Sequence, residues 1–262
     1  MNALETLILG IIQGLTEFLP VSSSGHLELV KAIFGSDYEK QQSLLITITL
    51  HAGTAFSTLF VFRKDISLIL SDLIKFKKGK SLNFSKKIVL SMIPAVLFGL
   101  FFEGFIASLF EGKIALVGTM LMITAMLLYL ADRVDENKKE LSYGTAFSIG
   151  LIQALAIIPG ISRSGATIAL GVLLKIDRDK VARFSFLMVI PLILGSIAKS
   201  ILDGNLTQDS TELFPLIIGF LSAFFTGIFA CRWMVALVKK SKLKYFSFYC
   251  IMLGGLAILC SL

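Results

Sequence analysis

The chain has 262 residues, of which 55% are hydrophobic and 16% charged, and its mean hydropathy is +0.84. A water-soluble domain of this length cannot enclose that share of apolar side chains, so lipid has to solvate much of the surface. The net charge of +7 does not indicate nucleic acid, because Lys and Arg fall almost entirely between the apolar runs, as on the cytoplasmic face of a membrane protein. Cys231, Cys250 and Cys260 lie in apolar stretches without metal-ligand spacing, and no disulfide is expected.

The first apolar run, Ala3–Leu19, stops at Pro20 and resumes after a serine turn as Leu27–Phe34. The second piece covers only ~15 Å at the helical rise, about half of a ~30 Å hydrocarbon core. A helix that enters, turns near mid-depth and returns therefore explains residues 1–34 better than two crossings. Glu5 and Glu17, with no Lys or Arg at the start, argue against a cleaved signal peptide. Six later runs are long enough to cross: approximately Ser43–Phe62, Lys87–Ile106, Lys113–Ala131, Phe184–Ser200, Leu213–Trp233 and Tyr245–Ser261. Between the third and the fourth, residues 143–174 repeat the broken pattern of 1–34.

The repetition is residue by residue. Gly10, Gln13, Ser22, Ser24 and Gly25 recur, 140 positions on, as Gly150, Gln153, Ser162, Ser164 and Gly165. The predicted fold is an all-α polytopic membrane protein, one integral domain over 1–262, with six transmembrane helices and two re-entrant helix–loop–helix hairpins. Repeat one is 1–131 with its hairpin at 1–34, and repeat two is 143–262 with its hairpin at 143–174. Arg63, Lys64, Lys75, Lys77, Lys78, Lys80, Lys86 and Lys87 place 63–86 in the cytoplasm, as Lys239, Lys240, Lys242 and Lys244 do for 234–244. Asp203, Asp209 and Glu212 place 201–212 outside. Three crossings between the hairpins then invert the second relative to the first, giving an inverted-topology repeat whose broken helices face each other.

The two turns carry the chemistry. Gln13 and Glu17 are four apart and share a helix face, and a carboxylate at bilayer depth is costly unless it has work to do. Ser22, Ser23 and Ser24 are N-cap candidates for the helix that restarts through Gly25 and His26, and such an N-terminus attracts anions. In the second copy Ile157 stands at the position of Glu17 and Arg163 at that of Ser23. Arg163, Ser162, Ser164 and Thr167, with the amides around Gly165, form a collection suited to phosphate oxygens; a structural Arg163–Glu17 ion pair is the alternative. His51 either lines the cavity or packs against a carbonyl. Glu103, Glu111, Asp132, Arg133 and Asp135 read as solvated helix-end residues.

Gln13-x-x-x-Glu17 with Phe18-Leu19-Pro20-Val21-Ser22-Ser23-Ser24-Gly25-His26 resembles the first signature of the undecaprenyl-diphosphatases, the bacitracin-resistance family. Pro159-Gly160-x-Ser162-Arg163-Ser164-Gly165-x-Thr167 resembles its second, and the likeness extends over the whole chain. Gln13 stands where the family has Glu or Gln, so a second carboxylate for metal is missing. The resemblance implies a phosphatase that converts undecaprenyl diphosphate to undecaprenyl phosphate and inorganic phosphate, recycling the lipid carrier for cell-wall synthesis. It implies a multi-pass protein of the bacterial plasma membrane, with a site opening toward the outer face, and a divalent ion, Mg²⁺ or Ca²⁺.

On this basis Glu17, Ser23, His26 and Arg163 are the expected catalytic residues, with Glu17 and Gln13 on the metal. Ser22, Ser24, Gly25, Ser162, Ser164, Gly165 and Thr167 are expected to bind the polyprenyl diphosphate. Ser23, His26 and water all remain open as nucleophile; Ser23 is preferred, with His26 as its base. A homodimer is compatible with the likeness, although no residue specifies one. A polyprenyl-phosphate flippase would need the same phosphate clamp. An intramembrane serine protease fits poorly, because the Gly-x-Ser-Gly turn is absent and Arg163 would have no task.

Overall fold

The computed structural model describes residues 3–34, 40–76, 79–110, 112–134, 139–202, 213–240 and 242–261. Twelve helices and no strand occur among them: α1 (Ala3–Thr16), α2 (Ser23–Phe34), α3 (Lys40–Val61), α4 (Arg63–Ile74), α5 (Lys80–Phe101), α6 (Glu103–Leu109), α7 (Ile114–Asp132), α8 (Tyr143–Leu155), α9 (Arg163–Leu173), α10 (Arg178–Leu202), α11 (Leu213–Lys239) and α12 (Lys244–Leu259). Lys77, Lys78, Glu111, Asp135 and the acidic Asp203, Asp209 and Glu212 lie outside the described residues.

The six expected crossings coincide with α3, α5, α7, α10, α11 and α12. Of these, α5, α7, α10 and α11 are long and apolar enough to cross a bilayer alone, and α3 qualifies only together with α4. The last helix has 16 residues, about 24 Å of rise against a ~30 Å core. Large apolar side chains such as Phe101, Phe225 and Met252 point outward and are largely exposed, as expected where the surroundings are lipid.

Two boundaries differ from the sequence expectation. The run after the first crossing, placed in the cytoplasm by its charges and given no element, begins with the helix α4, bent 76° from α3 at Phe62. Ile66, Leu70 and Ile74 recur every four residues there and give it one apolar face. The second crossing begins seven residues early, at Lys80, and stops at Phe101 rather than Ile106, because the chain breaks at Phe102 before α6. Lys87 is therefore inside α5, where its ammonium group donates to the Leu141 carbonyl.

Each short helix before a break leans on a long helix from the other half of the chain: α1 on α11, and α8 on α5. Glycine makes both approaches possible. A Cβ on Gly14 would stand 2.8 Å from the Ala223 carbonyl oxygen and 2.9 Å from the Gly227 nitrogen, and one on Gly150 would stand 2.8 Å from Ser91 Cα. Such small-residue contacts are how helices associate in lipid, where no hydrophobic force draws them together. The main core, including Val117, Leu121, Leu128, Ile168, Phe184 and Met188, packs around α7, α9 and α10. Phe18, just before the first break, joins it through Phe186 at 5.7 Å between ring centroids.

Gly150→Leu is expected to cost about 1–3 kcal/mol of stability through overpacking, read as a lower unfolding midpoint in detergent. Gly144→Ala, whose Cβ would have its nearest neighbour at 3.9 Å, should stay within ~0.5 kcal/mol. Equal midpoints for the two variants would contradict the α5–α8 contact.

Candidate active site

The helix α1 ends at Thr16, and a turn over 17–21 leads to α2. Pro20 disfavours helix in the preceding residue, and Ser22 takes a left-handed conformation with φ +68° before the chain restarts. The second break, after α8, uses Gly160 at φ +96°. The two restarts are built alike: Ser22 Oγ accepts from the Gly25 amide at 3.2 Å and Ser162 Oγ from the Gly165 amide at 3.1 Å. In each copy the capping hydroxyl is 3.3 Å from that of the serine two positions on, Ser24 or Ser164.

The turns also brace each other. Ser22 Oγ reaches the Ile161 carbonyl at 3.4 Å, and Ser164 Oγ donates to the Leu19 carbonyl at 3.3 Å. Thr124, from α7, donates to the Gly160 carbonyl at 3.1 Å and accepts from the Ser162 amide at 3.0 Å. Irregular backbone at membrane depth survives only when surrounding protein satisfies its polar groups in this way.

Glu17 is at the centre. It is 7% exposed, and its two oxygens face different partners. Oε1 accepts from Arg163 Nη2; Oε2 accepts from Ser23 Oγ at 2.7 Å and from Gln13 Nε2 at 3.0 Å. His51 Nε2 stands 3.9 Å from Oε2, while Nδ1 is 2.8 Å from the Thr47 carbonyl, so the ring packs against a carbonyl and also faces Glu17. Glu17, Arg163, Ser23 and Gln13, up to 150 positions apart in the chain, thus form one cluster.

Other expected site residues stand differently. His26 is engaged by the Ser22 carbonyl at Nδ1 and by Tyr249 Oη at Nε2, both at 2.7 Å, whereas Ser23 Oγ is in contact with the Glu17 carboxylate. Thr167 is fully buried and bonds the Arg163 carbonyl and, at 2.6 Å, Ser185 Oγ; it anchors the start of α9 to α10. Ser22, Ser162 and Ser164 are at most 2% exposed and hold the turns. The Gly25 and Gly165 amides are occupied by the caps, which leaves the first amides of each helix, at Ser23, Ser24, Arg163 and Ser164, without intrahelical acceptors. Ser23, Ser24 and Arg163 are only partly buried and reach the open side.

Tyr249 was missed in the sequence, where it is one aromatic among many in the last apolar run. Asp132 was misread as solvated: its Oδ1 accepts from the Leu243 and Lys244 amides at 2.8 and 3.2 Å and caps α12.

No group of three or more His, Cys, Asp or Glu able to hold a metal occurs among the described residues. Beside Glu17 a buried amide oxygen is unpartnered: Gln13 Oε1, on the side chain that touches Glu17. A carboxylate plus an amide oxygen, completed by water and phosphate oxygens, is a donor set that hard divalent cations accept, and these residues fit it.

An all-helical, multi-pass membrane protein with a buried acid, hydroxyl and guanidinium at paired helix breaks is built for anionic headgroups in lipid. Residues 6–256 match the family model described as bacitracin resistance protein BacA. The chain is 56% identical to an undecaprenyl-diphosphatase of Christiangramia forsetii, over 99% of this chain and 98% of that one. Undecaprenyl-diphosphatases of Bacteroides fragilis and Parabacteroides distasonis are 44% and 45% identical, over 100% of this chain and 99% of theirs. The protein belongs to the bacitracin resistance protein BacA family.

Removing one member of a buried ion pair strands the other charge. Glu17→Ala should therefore destabilise the protein by about 3 kcal/mol or more, and adding Arg163→Met should recover much of that. Unfolding midpoints in detergent for the two single variants and the double variant measure the coupling; strictly additive losses would contradict the pair.

Proposed function

We propose that the protein removes the terminal phosphate of undecaprenyl diphosphate, releasing undecaprenyl phosphate and inorganic phosphate at the plasma membrane of a bacterium. The relatives' names support the substrate, and the single observation that carries the chemistry is the Glu17 carboxylate, held by Arg163 on one oxygen and holding Ser23 Oγ on the other. A flippase is not favoured, because transport needs no hydroxyl aligned on a buried acid.

In this reading the diphosphate takes Arg163 from Glu17, since a guanidinium grips phosphate oxygens through two parallel hydrogen bonds. The free amides at the starts of α2 and α9 add donors for the same oxygens. Ser23 Oγ already points its hydrogen at Glu17 Oε2, the direction needed for general-base catalysis. Glu17 takes that proton as Oγ bonds to the terminal phosphorus. The bridging P–O bond breaks, and its electron pair leaves with undecaprenyl phosphate, which collects the proton. Water then adds to the seryl phosphate, giving a proton to Glu17; the Oγ–P bond breaks and the proton returns to Oγ. Glu17, through the oxygen that Arg163 vacates, and Gln13, through Oε1, are the residues that would hold Mg²⁺ or Ca²⁺. Such an ion, when bound, supplies neutralisation of the diphosphate charge.

The six-span arrangement with two re-entrant hairpins, inverted relative to each other, accounts for why α1 rests on α11 and α8 on α5. The basic segments 63–86 and 234–244 then face the cytoplasm, and the site opens toward the outer face.

Purified protein in detergent, given the C55 diphosphate, should release phosphate, and chelator should suppress it; a carrier without phosphatase activity would release none. Ser23→Ala and Arg163→Lys should each lower the rate by about 10²-fold or more. Label from the terminal phosphate should be trapped on Ser23, and label found on His26 instead would overturn this choice of nucleophile. Glu17→Gln should raise the metal concentration for half-maximal rate by roughly 10-fold or more, so an unchanged titration would remove Glu17 as a ligand.

A further inference from the structure

His26 is 9% exposed, and both of its ring nitrogens are occupied in a way that decides where its hydrogen sits. Nδ1 is 2.7 Å from the carbonyl oxygen of Ser22. A carbonyl oxygen only accepts, so Nδ1 carries the hydrogen. In the neutral ring Nε2 then has the lone pair, and the group 2.7 Å from it, Tyr249 Oη, is the donor. The phenol and imidazole rings lie 5° from parallel with centroids 5.7 Å apart, so the two rings share one orientation about the hydrogen bond.

The phenol is itself held in place by the helix that carries it. The next residue, Cys250, sets its thiol 3.7 Å from the Pro20 carbonyl, at the first helix break. Two residues before Tyr249, Ser247 donates to the Ala125 carbonyl of α7 at 2.7 Å. Contacts on both sides thus pin this stretch of α12 to the helix break and to α7, and Tyr249 is presented to His26 from a fixed base.

We propose that Tyr249 is a positioning residue for His26: its hydroxyl occupies the one nitrogen able to accept a proton and fixes the ring whose Nδ1–H holds the Ser22 carbonyl, next to Ser23. Tyr249 therefore acts on the site through that turn, while Glu17 serves Ser23. The kinetic consequence rests on the phosphatase reading; the pairing itself does not.

The chain has two histidines and five tyrosines, which makes the pair directly observable. In protein labelled with ¹⁵N-histidine and ring-¹³C tyrosine, His26 should show a single Nδ1–H tautomer and a cross-peak from its Nε2 to one tyrosine ring, with His51→Gln used for assignment. Tyr249→Phe should keep the ring in place, abolish the hydrogen bond and shift the Nε2 resonance toward that of an unbonded imine nitrogen. It should also lower kcat on the order of 10-fold with KM changed less than about 2-fold, as when the partner orienting a functional imidazole is removed.

A histidine spectrum in Tyr249→Phe that superimposes on the wild type would overturn the proposal, and so would absence of the cross-peak in the wild type, which needs no variant to fold. A wild-type protein that releases no phosphate but shows the Tyr249-dependent shift would defeat the phosphatase reading and leave the pairing intact. Full turnover with an unchanged spectrum would do the reverse.

Discussion

Glu17 and Arg163 are each too costly to bury alone, and each makes the other tolerable. A lone carboxylate or guanidinium at membrane depth forfeits several kcal/mol of hydration, whereas here the two meet directly, one from each half of the chain. Much of the architecture follows from that encounter. Neither side chain sits within a continuous crossing helix: Glu17 is in the turn after α1, and Arg163 is the first residue of α9. Both helices have to break at facing points, and the freed backbone groups then need partners. The reciprocal bonds from Ser22 to Ile161 and from Ser164 to Leu19, together with the Thr124 bridge, supply them. The long helices α11 and α5 support the helices that lead into the breaks, and small residues line their contacts with α1 and α8.

The two copies share one capping pattern and divide the chemistry. Ser22 and Ser162 each accept from the amide three residues on, although the left-handed residue is Ser22 in the first turn and Gly160 in the second; the first copy supplies acid, hydroxyl and imidazole, and the second supplies the cation. Gln13 and Gln153 show the cost of that division. Gln13 donates to Glu17. Its counterpart Gln153, with Ile157 in place of the acid one turn on, is 3% exposed and has neither amide atom partnered. A site with a negative and a positive half offers an anionic headgroup a cation to bind and a carboxylate beside the hydroxyl.

Much of this was legible in the residue order. The serine-glycine turns, the repeated glycines and the lone acid in an apolar run each mark a departure from an ordinary crossing helix, and local physics reads such departures well. Glu17 and Arg163 could be paired on paper because the repeat implied that the two breaks face each other. Less visible were α4, whose cations outweighed its four-residue apolar spacing, and Asp132, whose capping partners are more than a hundred positions away. The division of labour between Glu17 and His26 was also hidden, since spacing along α2 puts His26 within plausible reach of Ser23 and says nothing of a phenol arriving from α12.

Composition and pattern alone, then, determined that lipid surrounds the chain, that it is helical, that it breaks twice in the same manner and that the breaks carry acid, hydroxyls and a guanidinium. Those properties follow from hydration and from backbone preferences within a few residues. Which oxygen of Glu17 meets which partner, which hydroxyls are free and which are spent on caps, and which nitrogen of His26 holds the hydrogen were decided only in three dimensions. Each of these depends on a direction and a distance of about 3 Å between groups far apart in the chain, and only the packing of all the helices together sets them.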